Sequence, residues 1–139
     1  MERARILLAD DHAEFLSLAA GLVESEFEVL KTFANGQAVV DEFAELHPDL
    51  VVLDISMPGL NGIETALQLK AAGRKAKIVF LTVHKDRDYL RSALATGALG
   101  YVLKDRLASD LIPALRSALA GRRFVSSTLP QEQSTCLKD

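Results

Sequence analysis

The sequence predicts an α/β domain built on a doubly wound, five-stranded parallel sheet of (βα)5 type, and three observations lead there. Five short apolar runs, at residues 5–9, 27–33, 49–53, 77–82 and 99–103, recur along the 139 residues with helical patterns between them. That alternation implies βαβ units and therefore parallel strands. The runs centred on Leu7, Val51 and Val79 are apolar at successive positions, as strands covered by helices on both faces must be.

The elements follow in order. MERARILLAD opens with two arginines, but its apolar run stops at Asp10, Asp11 and His12, too soon for a signal peptide or a membrane span, so it reads as the first strand. The second run alternates through Phe27, Val29, Lys31 and Phe33, which suits a half-exposed strand near a sheet edge. Val39, Phe43 and Leu46 fall at helical spacing before Pro48 closes the second helix. The third helix is the best marked: Asn61 with Glu64 three residues on forms a capping-box pattern, Ile63, Ala66 and Leu67 follow, and Gly73 ends it. Leu90, Ala93 and Leu94 make the fourth, ended at Gly97. The last helix carries Leu111, Leu115, Ala118 and Leu119 and ends at Gly121. It contains Pro113, which is tolerated if Ser109 is the N-cap and the proline falls in the first turn. The domain is thus expected over residues 1–121. Residues 122–139, rich in Ser, Thr and Gln, read as a flexible tail or the start of a linker to an output domain not present here.

Composition excludes several classes. With 49% apolar residues the chain fills one core and one domain. A net charge of −3 and a pI near 5.6 give no general attraction to polyanions, so this segment is not expected to bind DNA itself. The single cysteine, Cys136, has no internal disulfide partner, and a reducing, cytoplasmic setting away from membranes fits best.

In an open doubly wound sheet, ligands bind beyond the carboxyl ends of the strands. Asp10 and Asp11 follow the first strand, Asp54 ends the third, Thr82 the fourth and Lys104 the fifth. Taken singly, each has an ordinary explanation: Asp11 as a helix N-cap, Asp54 bracing the turn toward Pro58, Thr82 as a strand residue, Lys104 as a solvated charge. Together they place three carboxylates at one edge, where they repel one another unless a cation neutralises them. Oxygen ligands without cysteine favour Mg²⁺, with Mn²⁺ as the alternative, over zinc. With a metal bound, one carboxylate can attack a phosphoryl group while an ammonium neutralises its oxygens.

The acidic pair Asp10 and Asp11, Asp54 followed by Pro58 and Gly62, then Thr82 and Lys104, resemble the receiver domain of two-component response regulators across residues 4–121. The stretch GYVLKD at residues 100–105 further resembles the subfamily with a C-terminal helix-turn-helix (LuxR-type) DNA-binding domain. The resemblance implies a flavodoxin-like sheet of strand order 2-1-3-4-5. It makes Asp54 the phosphoacceptor, Asp11 a direct metal ligand, Asp10 a holder of metal-bound water and Ser56 a ligand through its backbone carbonyl. It gives Lys104 the phosphoryl oxygens and makes Thr82 the switch hydroxyl. Tyr101 becomes the switch aromatic that turns inward once Thr82 moves, and Ser56, Met57 and His84 rim the pocket and tune phosphate lifetime. His12 and His47 read as structural or exposed, without metal partners. Many receivers have Pro after the site lysine; Asp105 stands there, so no cis bond is expected.

The expected function is a signalling switch that is not an enzyme. It accepts a phosphoryl group from a sensor histidine kinase or phosphotransfer protein and alters the surface formed by the fourth helix, fifth strand and fifth helix. Homodimerisation on phosphorylation, and DNA binding through a missing C-terminal domain, belong to the same reading; the chain is then a stand-alone receiver or a piece ending within the linker. One alternative is a receiver-like interaction module that works without phosphorylation. The other is a phosphatase with Asp54 as nucleophile, disfavoured because Ser56 stands where a second acid is wanted and no insertion could form a substrate cap.

Overall fold

The computed structural model describes residues 3–127. Six strands, β1 (Arg5–Ala9), β2 (Glu28–Phe33), β3 (Leu50–Leu53), β4 (Lys77–Thr82), β5 (Gly100–Leu103) and β6 (Phe124–Val125), form one sheet in the order β2-β1-β3-β4-β5-β6. Every neighbouring pair is parallel. Five helices connect them: α1 (Ala13–Val23), α2 (Gly36–Leu46), α3 (Gly62–Ala71), α4 (Arg87–Ala95) and α5 (Leu107–Leu119).

The sheet separates two apolar layers, because successive strand residues point to opposite faces. Leu7, Val51, Leu53, Phe80, Tyr101 and Leu103 pack with residues of α2, α3 and α4 on one side. Ile6, Leu8, Val52, Val79, Leu81 and Val102 pack with α1 and α5 on the other. This is why the runs in β1, β3 and β4 are apolar at consecutive positions.

Three local features differ from the sequence reading. First, the alternation expected across residues 27–33 is broken. The β1–β2 register shifts between Ile6 and Leu7, skipping Leu30. Phe27 therefore packs in the layer beneath α1 and α5, whereas Phe33 packs in the opposite one. Second, Ser109 is not the N-cap of the last helix. A 3₁₀ turn at Lys104–Arg106 runs directly into α5, with Arg106 as the capping residue and Pro113 inside the helix. The proline cannot donate to the Ser109 carbonyl, and the buried face of Leu111, Ala114, Leu115 and Ala118 holds the helix through that gap. Third, a strand lies beyond Gly121. Phe124–Val125 pairs with Gly100–Tyr101, so the sheet has six strands and β5 is not its edge.

The capping box of α3 is present: Asn61 Oδ1 accepts from the Glu64 N–H at 2.8 Å, and Glu64 Oε1 accepts from the Asn61 N–H at 2.9 Å. That cap fixes the start of α3 against the loop after β3, and Gly62 makes the close approach there. A Cβ at Gly62 would lie 2.2 Å from the Asp54 carbonyl oxygen. All peptide bonds among the described residues are trans, including that between Lys104 and Asp105. Residues 128–139, including Cys136, lie outside the described residues.

Candidate functional site

The carboxyl ends of β1, β3, β4 and β5 converge at one edge of the sheet, bringing Asp10, Asp54, Thr82 and Lys104 together there. Asp10, Asp54 and Thr82 are buried, being 4%, 4% and 0% exposed. Buried charge is stable only when paired, and Lys104 provides the pairing. Its Nζ donates to Asp54 Oδ2 at 3.2 Å and lies 2.7 Å from Asp10 Oδ2. The second approach is off the direction a hydrogen bond requires, so Asp10 Oδ2 is a buried carboxylate oxygen with no aligned donor. Asp10 Oδ1 accepts the His12 N–H at 2.8 Å, which shapes the turn into α1.

Asp54 is held with its pKa above the ordinary 3.8. Burial contributes most, followed by repulsion from Asp10; the Lys104 ammonium and the Ser56 N–H, which reaches Asp54 Oδ1 at 3.4 Å, act in the opposite direction. A second cation beside the two carboxylates would relieve this repulsion.

Oxygen or nitrogen atoms of Asp10, Asp11, His12 and Asp54 all lie within 4.8 Å of one another. The donors are chiefly carboxylate oxygens, and among the described residues Lys104 alone pairs with both of the buried carboxylates, Asp10 and Asp54. The set therefore fits a hard divalent ion such as Mg²⁺. His12 departs from its expected isolation, because its Nδ1 stands 3.4 Å from both Asp10 Oδ1 and Asp11 Oδ1. Asp11 does not cap α1; His12 occupies that position.

An open cleft beside Asp54 is lined by Asp11, Ser56, Met57, Pro58, Asn61 and Tyr89. Ser56, one of the lining residues, meets His84, with Ser56 Oγ and His84 Nε2 2.6 Å apart. Met57, expected at the rim, is 7% exposed and packs into the core while contributing to the cleft wall. Thr82 Oγ1 accepts from the His84 N–H at 3.1 Å. Tyr101 is fully buried, and its hydroxyl donates to the His84 carbonyl at 2.9 Å. Its ring lies inside, packed in the core layer with Leu90 and Ala93 of α4. Burial first, then the nearby Asp86 and Tyr89, pushes the Tyr101 pKa up, and the hydroxyl stays a donor.

Two residues at the site were missed from sequence. Phe15 lies beneath Lys104, with Nζ 4.5 Å from its ring centroid, and so steers the ammonium toward the carboxylates. It stands four residues after Asp11, a spacing that on a helix beginning there would have pointed to it. Tyr89 stacks on His84 with ring centroids 3.9 Å apart. Nothing in its local pattern distinguishes it from a surface helix residue.

Residues 6–116 match the response regulator receiver domain family. Over 130 residues the chain is 36% identical to the nitrate/nitrite response regulator protein NarL of Escherichia coli, covering 92% of this chain and 60% of that protein. It is 40% identical over 125 residues to the transcriptional regulatory protein PdtaR of Mycobacterium tuberculosis, covering 88% of this chain and 60% of that one. The chain therefore spans 60% of the length of these relatives. A crystal structure of a LuxR-family two-component response regulator from Aurantimonas sp. SI85-9A1 is similar with a TM-score of 0.90 and 31% identity, covering 99% of this chain and all of that one. None of the helices among the described residues is long and apolar enough to cross a membrane.

Proposed function

Because the chain belongs to the response regulator receiver domain family, with relatives among LuxR-type regulators, we propose that it is a cytoplasmic switch phosphorylated on Asp54. The observation that carries this reading is the Asp10–Lys104–Asp54 cluster, with Lys104 Nζ at 2.7 and 3.2 Å from the two buried carboxylates. A lysine placed between acids at the ends of three parallel strands is suited to receiving a dianion. Asp11 and Asp54 would hold Mg²⁺ through carboxylate oxygens, Ser56 through its backbone carbonyl and Asp10 through metal-bound water. The bound ion would neutralise charge on the transferring phosphoryl oxygens.

An Asp54 carboxylate oxygen attacks phosphorus. A new O–P bond forms, the bond from phosphorus to the donor breaks, and the donor leaves with its electron pair. A histidine kinase or phosphotransfer protein is the proposed donor, releasing a neutral imidazole once a proton is taken up. Lys104 pairs with the phosphoryl oxygens, and the Thr82 hydroxyl turns from the His84 N–H to donate to them. Tyr101, tied through its hydroxyl to the His84 carbonyl, registers that movement in β5. We read residues 1–121 as the switching module and the chain from 122, which first pairs with β5 as β6, as its connection to an output. The transcriptional role named for the relative PdtaR supports an output through a DNA-binding domain, and dimerisation on phosphorylation is part of the same proposal.

The test is chemical mapping. Protein incubated with acetyl phosphate and Mg²⁺ is reduced with borohydride, which converts an aspartyl phosphate to homoserine, and is then sequenced by peptide mass spectrometry. Homoserine at position 54 is expected; homoserine elsewhere, or nowhere, overturns the assignment.

A further inference from the structure

We propose that Phe124–Ser126 is a latch, fastening the chain that leaves the domain to the strand carrying Tyr101, so that its seating follows the state of the phosphoacceptor site. The proposal rests on the phosphoacceptor reading above and adds the route by which that state reaches the chain beyond α5.

The latch is built from backbone and side chain together. The Phe124 N–H donates to the Leu99 carbonyl at 2.8 Å, and the Ser126 N–H to the Tyr101 carbonyl at 3.0 Å. Ser126 is fully buried despite lying in a segment of polar composition. Its hydroxyl donates to Asp110 Oδ2 at 2.8 Å and accepts the Leu103 N–H at 3.1 Å. One oxygen therefore bridges β5, the exit segment and α5. Asp110 is itself fixed by Arg106 Nε at 3.1 Å and by the Ser109 hydroxyl at 2.9 Å. A buried polar group with every partner supplied specifies one arrangement, and loss of a partner leaves the others unsatisfied.

The same segment touches the switch residue directly. Val125 stands opposite Tyr101 in the β5–β6 register and packs against the core layer that contains the Tyr101 ring. Tyr101 thus has two ends. Its hydroxyl holds the His84 carbonyl beside Thr82, and its backbone carbonyl holds Ser126. Lys104 follows Leu103, whose N–H binds the Ser126 hydroxyl. Movement of Thr82 or Lys104 toward a phosphoryl group therefore acts on both sides of the latch. β6 pairs with Gly100 and Tyr101 on the outer side of β5, so the exit segment adjoins the expected output surface of α4, β5 and α5.

Amide hydrogen exchange on the full chain, read by peptide mass spectrometry, tests the proposal. In the unphosphorylated protein, Ser126→Ala is expected to raise exchange at residues 99–103 and 122–127 by about five- to tenfold, the effect of one net buried hydrogen bond. Asp110→Asn, which keeps the shape but weakens the acceptor, should do so to a smaller extent. Unchanged exchange in β1 and α3 shows that both variants fold. In the wild type, acetyl phosphate with Mg²⁺ should change exchange at 99–103 and 122–127 together, and Ser126→Ala should abolish the change at 122–127. Intact mass is recorded on the same samples. A phosphoryl gain with unchanged exchange at 122–127 overturns the latch and leaves the phosphoacceptor site standing. No phosphoryl gain in the wild type overturns the site reading and the latch with it.

Discussion

Ser56 and His84, 28 positions apart in sequence and each two residues beyond a buried site residue, Asp54 and Thr82, meet at 2.6 Å. Tyr89 stacks on the His84 ring with centroids 3.9 Å apart, which holds the imidazole in place. On the proposed reading, this contact would limit the approach of water to a phosphoryl group on Asp54. Ser56→Ala and His84→Ala are each expected to shorten the phosphorylated lifetime by about fivefold, the rate equivalent of about 1 kcal/mol. The decay of the phosphorylated mass after donor removal measures it, and lifetimes equal to or longer than that of the wild type would refute the role of the contact.

Lys104 is the cation between Asp10 and Asp54. Lys104→Met leaves two buried carboxylates facing each other and should destabilise the metal-free protein by about 3 kcal/mol. The same change makes the site more negative, so Mg²⁺ should raise the thermal midpoint more in the variant than in the wild type. Thermal unfolding with and without Mg²⁺ decides the matter; equal midpoints and equal Mg²⁺ responses would contradict the pairing.

Gly62 packs its bare Cα against the Asp54 backbone, and an added Cβ would lie 2.2 Å from the Asp54 carbonyl oxygen and 2.9 Å from Ile55 Cα. Gly62→Ala must push the β3–α3 loop away, at a stability cost of about 1–3 kcal/mol. Because the displaced atoms belong to Asp54, phosphorylation by acetyl phosphate should slow as well. Urea unfolding and phosphorylation rates on the same preparation measure both effects, and a variant that keeps wild-type values would show that the loop yields freely.

Asp110 gives a pH signature independent of the phosphoacceptor site. Burial by itself would raise its pKa, but hydrogen bonds from Arg106, Ser126 and Ser109 outweigh it and hold the carboxyl below its ordinary 3.8. A carboxylate depressed in the folded state stabilises the fold above its unfolded pKa. That stabilisation is lost as pH falls through the folded value, so the window lies below about pH 4. Asp110→Asn should therefore lower the urea midpoint at pH 7 and lose less stability than the wild type when taken to pH 3. A parallel loss in both proteins would show that Asp110 ionisation contributes nothing.

The sheet and the site ends were legible because their signals are local. Consecutive apolar residues in β1, β3 and β4 mark central strands, and the polar residue that closes each run falls at the ligand edge by topology alone. The order of Asp10, Asp54, Thr82 and Lys104 along the chain carried the rest of the site. Other features depended on long-range pairing that no local pattern records. The register shift opposite Leu30 reverses the face expected of Phe27 relative to Phe33, and a two-residue strand such as Phe124–Val125 is too short to show a period. Ser126 looks like linker composition until its hydroxyl finds Asp110 and the Leu103 N–H. The start of α5 is hidden from the sequence because Pro113 points to a cap at Ser109, whereas the first turn is held by Arg106 and Asp110 rather than by a side-chain cap.

The most direct measurement is intact mass after incubation with acetyl phosphate, made on the wild type and on Asp54→Ala with and without Mg²⁺. A gain of one phosphoryl group in the wild type, dependent on Mg²⁺ and absent from Asp54→Ala, is expected. No gain in a folded wild-type protein, or an equal gain in Asp54→Ala, would contradict the assignment of Asp54 as the phosphoacceptor.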